Sequence, residues 1–253
     1  MQDTAHPEPI TVFVLSWERP LYLWVTLDSL YRHTRHPVRF ILCDNHSQDP
    51  LVRQVVRGFE RRGLFYAVEL FPENLLGNFQ RAVEKYGAIL GDYFGVVEAD
   101  VEVLPGEPCW LTTMVSIMDR HPKLQFLGSL VDHADFVSVE DARRLAPGLD
   151  DEQLLALVKA FSPEKEFVQG APGQELETAY KPPGRLNLYR TAVLPKIPLM
   201  ADGPFSDAVR AMGDEVGVAL KVRHRHLSLL NLYDYPEYDM AARDDFFAPP
   251  EPR

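Results

Sequence analysis

Two acids, Glu98 and Asp100, close an apolar run that begins at Tyr93. Side chains alternate along an extended strand, so the pair shares one face while Ala99 takes the other, which sets hard oxygen ligands side by side. Mg2+ or Mn2+ suits such a pair, because these ions accept one or two carboxylates together with waters and substrate phosphates. A solvated strand end with incidental acids is the competing reading. A second polar end, Asp44-Asn45-His46-Ser47-Gln48-Asp49, follows Ile41-Leu42-Cys43. Asp49 before Pro50 reads as a helix cap. Asp44 would face the same zone as Asp100, where it could accept a hydrogen bond from a nucleobase imide or a ribose hydroxyl. Asp214 and Glu215 follow Gly213 and can satisfy free backbone N–H groups at a helix start, where the helix dipole favours acids. Lys221-Val222-Arg223-His224-Arg225-His226 is the densest basic cluster. Near a site it would neutralise a diphosphate, and His224 or His226 could complete a metal shell; otherwise it is a solvated helix end.

These residues need a scaffold, and the first hundred positions alternate in type. Ile10 to Trp17 is a short β-branched run; Pro20 then opens a helical pattern through Leu21, Trp24, Leu27 and Leu30. Arg39 to Cys43 reads as a strand, and Leu51, Val52, Val55, Val56 and Phe59 as a helix face closed by Gly63. Phe65 to Phe71 is extended, Asn78 caps a helix through Phe79, Ala82, Val83, Tyr86 and Leu90, and Tyr93 to Val103 is a fourth strand. Strands alternating with helices imply a mostly parallel sheet with right-handed crossovers, and such sheets bind ligands beyond their carboxyl ends. The second half is less regular: Val139 to Phe161 reads as helix, Ser162 to Pro183 as loop, Leu186 to Arg190 as strand and Asp214 to Arg223 as helix. The expectation is an α/β class with one domain over 10–240, between tails at 1–9 and 241–253.

Composition narrows the function. The chain has 253 residues, with 26 basic against 37 acidic side chains and a net charge of -11. That balance repels a phosphate backbone and argues against nucleic acid as a partner. There is no transmembrane segment in the sequence, and Met1 to Pro9 carries neither a basic head nor an apolar stretch, so the expected location is cytoplasmic. Peripheral contact with a membrane stays open. The only cysteines, Cys43 and Cys109, lie in apolar surroundings and read as buried, reduced thiols.

Taken together, Ile10 to Trp17 with Arg19 and Pro20, Asp44-Asn45 with Ser47 and Asp49, Glu73-Asn74 with Gly77 and Ala82, and Glu98-Ala99-Asp100 resemble, in order and spacing, the nucleotide-binding half of family 2 glycosyltransferases. The likeness covers Ile10 to Val103 and resumes more weakly from Leu186 to Arg225. It implies the GT-A fold: a Rossmann-like, mostly parallel central sheet flanked by helices, with 10–103 as the nucleotide-sugar half and 104–240 as a less regular acceptor half. It further implies that Asp44 contacts the base, that Glu98-Ala99-Asp100 stands at the Asp-x-Asp position, and that Asp100 binds Mn2+ or Mg2+. Glu98 would approach the ribose or join the metal. Ser16, Trp17, Arg19, Asn74, Gly77 and Arg81 belong to the same donor-binding set. In the later match, Glu215 stands at the general-base position with Asp214 beside it. A metal-binding histidine of the family lies further downstream, where this chain has Tyr233-Asp234-Tyr235-Pro236-Glu237-Tyr238-Asp239.

The implied activity is metal-dependent, inverting transfer of a sugar from a UDP-, GDP- or dTDP-sugar to a hydroxyl of a glycan or lipid-linked acceptor, in bacterial surface polysaccharide assembly. The acceptor would be framed by Asp132 to Tyr180. Two rivals are a sugar-1-phosphate nucleotidyltransferase and a non-catalytic nucleotide- or glycan-binding module. The first would want a glycine-rich phosphate loop after the first strand, and Ser16-Trp17-Glu18-Arg19-Pro20 contains no glycine. Asp100 and Glu215 weigh against the second.

Overall fold

The computed structural model describes residues 8–132, 147–148, 150, 173–179, 181–182 and 184–227. The expected first units are there: β1 (Ile10–Ser16), α1 (Pro20–His33), β2 (Val38–Asp44), α2 (Pro50–Glu60), β3 (Phe65–Leu70) and α3 (Asn78–Lys85). They continue through β4 (Tyr93–Glu98), β5 (Val101–Val103), α4 (Trp110–Arg120), β6 (Leu124–Val131), β7 (Leu176–Glu177), β8 (Leu186–Arg190), α5 (Asp202–Ala211) and β9 (Glu215–His226). Among the described residues the strands form one sheet in the order β3-β2-β1-β4-β8-β6-β9-β5, with β7 paired to β9. β1 to β4 are mutually parallel. β8 runs antiparallel between β4 and β6, and β9 is parallel to β6. The ends of β1, β2, β4, β6 and β9 therefore share one edge.

Both faces of the sheet are covered. Val12, Val14, Leu42, Val97 and Leu188 pack with Leu23, Leu27 and Leu30 of α1, Val52, Val56 and Phe59 of α2, and Leu111, Met114 and Met118 of α4. Phe13, Ile41, Val96, Phe126 and Tyr189 face Ala82 and Val83 of α3 and Phe205 and Val209 of α5. Tyr189 lies between Phe94 and Phe126 at 5.0 and 4.5 Å between ring centroids, with Phe205 edge-on at 5.3 Å. Full burial of each such aliphatic side chain favours folding by about 1.5–3 kcal/mol. Cys43 and Cys109 are buried and unpaired. Among the described residues no helix is long and apolar enough to cross a membrane.

Three local expectations are corrected. The expected strand from Tyr93 to Val103 breaks at Ala99-Asp100: β4 stops at Glu98, and β5 crosses to the far edge to pair with β9. Gly77, not Asn78, is the N-cap of α3. The expected helix from Asp214 is the strand β9. Gly213 has a φ of 82° and donates its N–H to the Arg210 carbonyl at 3.0 Å, so it closes α5, and Asp214-Glu215 follow a helix rather than open one. Beyond them Val216, Val218, Leu220 and Val222 alternate with Gly217, Ala219, Lys221 and Arg223, the period of a strand, rich in β-branched residues. The helix expected over Val139 to Phe161 and the Tyr233 to Asp239 segment lie outside the described residues, apart from 147–148 and 150.

Candidate active site

At the carboxyl edge, where β1 and β4 end, a cavity of about 510 Å3 opens. The turn after β1 is the first wall. Glu18 and Arg19 both adopt left-handed backbone, φ 52° and 55°, which costs roughly 1–3 kcal/mol per non-glycine residue and persists only where neighbours enforce it. Here they do. The buried Glu18 carboxylate accepts the Gln48 and Asp49 N–H groups at 2.5 and 3.0 Å, and the Glu18 N–H donates to Ser47 Oγ at 2.7 Å. The forced turn brings Ser16, Trp17 and Arg19 to the cavity wall.

The turn after β4 is the second wall and carries Glu98, Ala99 and Asp100. Ala99 N–H donates to the Leu15 carbonyl at 2.9 Å, tying this turn to β1. Leu227 N–H donates to the Asp100 carbonyl at 2.8 Å, which fixes the end of β9 beside it. His226 Nε2 consequently lies 3.3 Å from Asp100 Oδ2, and Arg19 Nη1 lies 3.4 Å from the same oxygen. Burial pushes the Asp100 carboxyl up, but His226, Arg185 and Arg19 outweigh it and bring it down to about 2. Its other oxygen, Oδ1, is buried with no hydrogen-bond partner among the described residues. An ionised carboxylate with a free buried oxygen next to an imidazole is a donor set that Mn2+ or Mg2+ fits. No group of three or more such side chains stands ready among the described residues, so further ligands would come from water or substrate.

The third wall comes from β8 and α5. Arg185, just before β8, donates from Nη1 to Glu98 Oε2 at 2.5 Å. Burial raises the Glu98 carboxyl to about 7 against the pull of Arg185, helped by Asp100 and Asp202. Asp202 is the first residue of α5 and lines the cavity. Burial raises its carboxyl, opposed by Arg185 and by hydrogen bonds from the Asp202 and Gly184 backbone N–H groups. Gly184 leaves room for that carboxylate: a Cβ on it would overlap Asp202 Cγ, Oδ1 and Oδ2 and displace them.

Of the residues singled out from sequence, the cavity wall gathers Ser16, Trp17, Arg19, Glu98, Ala99 and Asp100, with His226 against Asp100. Asp44 is turned away: its Oδ1 and Oδ2 accept the Ser47 N–H and hydroxyl at 2.9 and 2.6 Å, and its neighbours Cys43 and Asn45 line the cavity instead. Asn74, Gly77 and Arg81 are exposed and do not line the cavity. Asn45 Nδ2 donates to Asn74 Oδ1, Asn78 Nδ2 donates to Asn45 Oδ1 at 2.6 Å, and Arg81 Nη1 donates to Asn78 Oδ1 at 3.4 Å, so they brace the loop that presents Leu75, Leu76 and Asn78. His224 is fully buried with Nδ1 2.7 Å from Ser129 Oγ, and burial, with His226 and Arg185, lowers its pKa to about 3. It is a neutral interior histidine.

Glu215 and Asp214 are not brought to the cavity. Glu215 pairs with Leu124 at the opposite end of the sheet, whereas His226, at the other end of β9, pairs with Val101. At about 3.3 Å per residue the intervening strand has a contour of roughly 35 Å. Asp202, Arg185 and Gly184 were missed from sequence, while Asn187 was read only as part of the later match to the family. The signal for Asp202 was an acid at a helix start two residues before Pro204, a pattern that the opening turn of a helix favours.

No family model matches the chain, and no curated protein matches it by sequence. Solved structures do. GalNAc-T7 with UDP, GalNAc and Mn2+ is similar at a TM-score of 0.58 and 12% identity, over 86% of this chain and 43% of that one. The mannosyltransferase PcManGT from Pyrobaculum calidifontis, in complex with GDP-Man and Mn2+, is similar at 0.57 and 16% identity, over 87% and 57%. Glucosyl-3-phosphoglycerate synthase from Mycobacterium tuberculosis, with Mn2+, UDP and glucosyl-3-phosphoglycerate, is similar at 0.51 and 13% identity, over 87% and 72%. The chain thus spans only about half the length of the first two. These likenesses establish the architecture that the sequence suggested: the protein has the GT-A fold, a Rossmann-like and mostly parallel sheet flanked by helices.

Proposed function

We propose that the protein is a metal-dependent glycosyltransferase that takes a nucleotide diphosphate sugar in the carboxyl-edge cavity and transfers the sugar to an acceptor hydroxyl. The observation that carries this reading is the Asp100–His226 pair, with its free buried oxygen, on the wall of a cavity shared with Glu98 and Asp202. Asp100 and His226 would hold Mn2+ or Mg2+, which when bound neutralises charge on a leaving diphosphate. Arg19 and Arg185 supply further positive charge, and the left-handed turn at Glu18-Arg19 fixes one of them in advance. Trp17 offers a ring face to a nucleoside.

The general base in this reading is Asp202 rather than Glu215. Its carboxyl is raised by burial toward the range where a base works near neutral pH, and it shares the cavity with the metal pair. A base on the acceptor hydroxyl makes inversion the matching outcome. A glycan or lipid-linked acceptor, and a cytoplasmic place in bacterial surface polysaccharide assembly, follow from the family 2 resemblance.

The test is a panel of UDP-, GDP- and dTDP-sugars with Mn2+, scored for release of nucleoside diphosphate. Metal-dependent release from one donor is the expected result. Consumption of a nucleoside triphosphate and a sugar 1-phosphate with release of pyrophosphate would overturn the reading in favour of nucleotidyl transfer.

A further inference from the structure

α1 and α2 pack side by side on one face of the sheet, and what they leave to solvent differs from the rest of this chain. Leu21, 72% exposed, is followed by half-exposed Trp24 and Tyr31 on α1 and by Leu51 on α2. Arg32, Arg35, Arg53, Arg57, Arg61 and Arg62 are exposed among and beyond them, and Glu60 is the only exposed acid between Pro20 and Arg62. In a protein with 37 acids against 26 bases, that local balance has the opposite sign. Arg32 pairs with Asp28 at 2.9 Å, whereas Arg53, Arg57 and Arg61 have no ion-pair partner among the described residues. The apolar line also meets the cavity. Trp17, four residues before Leu21 in the chain and just ahead of α1, stands on the wall with exposed Leu75, Leu76 and Met200.

A nucleic acid or an acidic protein would satisfy the arginines but give four large apolar side chains nothing to enter. An apolar protein groove would take those side chains and strand the arginines. An anionic bilayer uses both: leucine and aromatic tips enter the headgroup boundary while guanidinium groups reach lipid phosphates, and long arginine stems allow that geometry. We propose that the α1–α2 face docks the protein onto an anionic lipid surface, with the cavity mouth at the border of the contact. The inference is independent of the transferase reading, since it concerns a surface and not the cavity chemistry.

The experiment is cosedimentation of the full chain with vesicles of phosphatidylcholine alone or mixed with phosphatidylglycerol. Binding to the mixed vesicles only, weakened by salt, is the expected result. Each cation removed from an anionic surface weakens partitioning about fivefold, so Arg57→Glu with Arg61→Glu should weaken it about 25-fold or more. Leu21→Ser with Trp24→Ser should weaken it separately, with the circular dichroism of both variants unchanged. Equal binding to both vesicle types, no binding to either, or binding insensitive to both variants would overturn the proposal. So would arginine-dependent binding to heparin or single-stranded DNA without vesicle binding, which would assign the face to a soluble polyanion.

Discussion

Replacing Gly184 by alanine tests the base assignment without touching a charged group. The new Cβ would occupy the space of the Asp202 carboxyl carbon and both oxygens, so the carboxylate has to withdraw. Ordinary contact requires a retreat of more than about 1 Å, and a misplacement of that size in a catalytic group costs roughly 100-fold in rate. The Gly184 backbone is not in the left-handed region, so the substitution adds no backbone strain of its own. Asp100 and His226 are tied together by β9 and keep their spacing. The assay compares kcat for donor turnover, and Mn2+ affinity, across four proteins. Gly184→Ala should lose about 100-fold in kcat with Mn2+ affinity retained, and Asp202→Asn should lose about 10²–10⁴-fold. Glu215→Gln, at the far end of the sheet, should match the parent. Full turnover by Gly184→Ala, or its loss in Glu215→Gln, would show that Asp202 is not the base.

Further expectations follow from individual groups. Because burial raises the Asp202 carboxyl, a base at this position loses activity as pH falls through a value above that of an ordinary aspartate; a kcat/KM profile over pH measures that limb. Asp44 holds the loop after β2 through two hydrogen bonds to Ser47, so Asp44→Ala should destabilise the fold by about 1.5–3 kcal/mol in urea denaturation. His224 stays neutral in the folded protein down to about pH 3, while in the unfolded chain it titrates near 6.5. The unfolded state therefore binds the extra proton, and stability falls with pH below 6.5, by up to about 2 kcal/mol between pH 6.5 and 5. Denaturation of the metal-free protein and of His224→Asn at both pH values isolates this slope, which the variant should lack.

The first half of the chain was legible because each of its signals is local. Ile10 to Ser16, Val38 to Asp44 and Tyr93 to Glu98 are apolar β-branched runs punctuated by Pro20, Asp49-Pro50 and Gly63, and the residues after each run fall at the shared edge without knowledge of anything distant. The last strand was misread because Asp214-Glu215 after a glycine looks the same whether a helix begins or has just ended. Only the left-handed φ of Gly213 and the pairing of β9 with β6 decide between them. That reversal puts Glu215 at the end of the sheet away from the cavity. It also left His226, whose place beside Asp100 depends on a strand pairing more than a hundred residues apart in sequence, as one of two equal candidates. Asp202 reaches the cavity through α5 and Arg185 reaches Glu98 from the start of β8, and neither element adjoins the first half in sequence. Asp44 shows the converse limit: its position at a strand end was readable, but its rotation toward Ser47 depends on the loop that follows.

The most direct test is isothermal titration of UDP and GDP into the protein with Mn2+ and with a chelator, repeated on Asp100→Asn. One nucleotide should bind tightly with Mn2+, the chelator should abolish the tight binding, and Asp100→Asn should behave as the chelated protein does. Affinity that is the same with metal, with chelator and in the variant, or no binding of either nucleotide, would contradict the claim that Asp100 anchors a cation for a diphosphate.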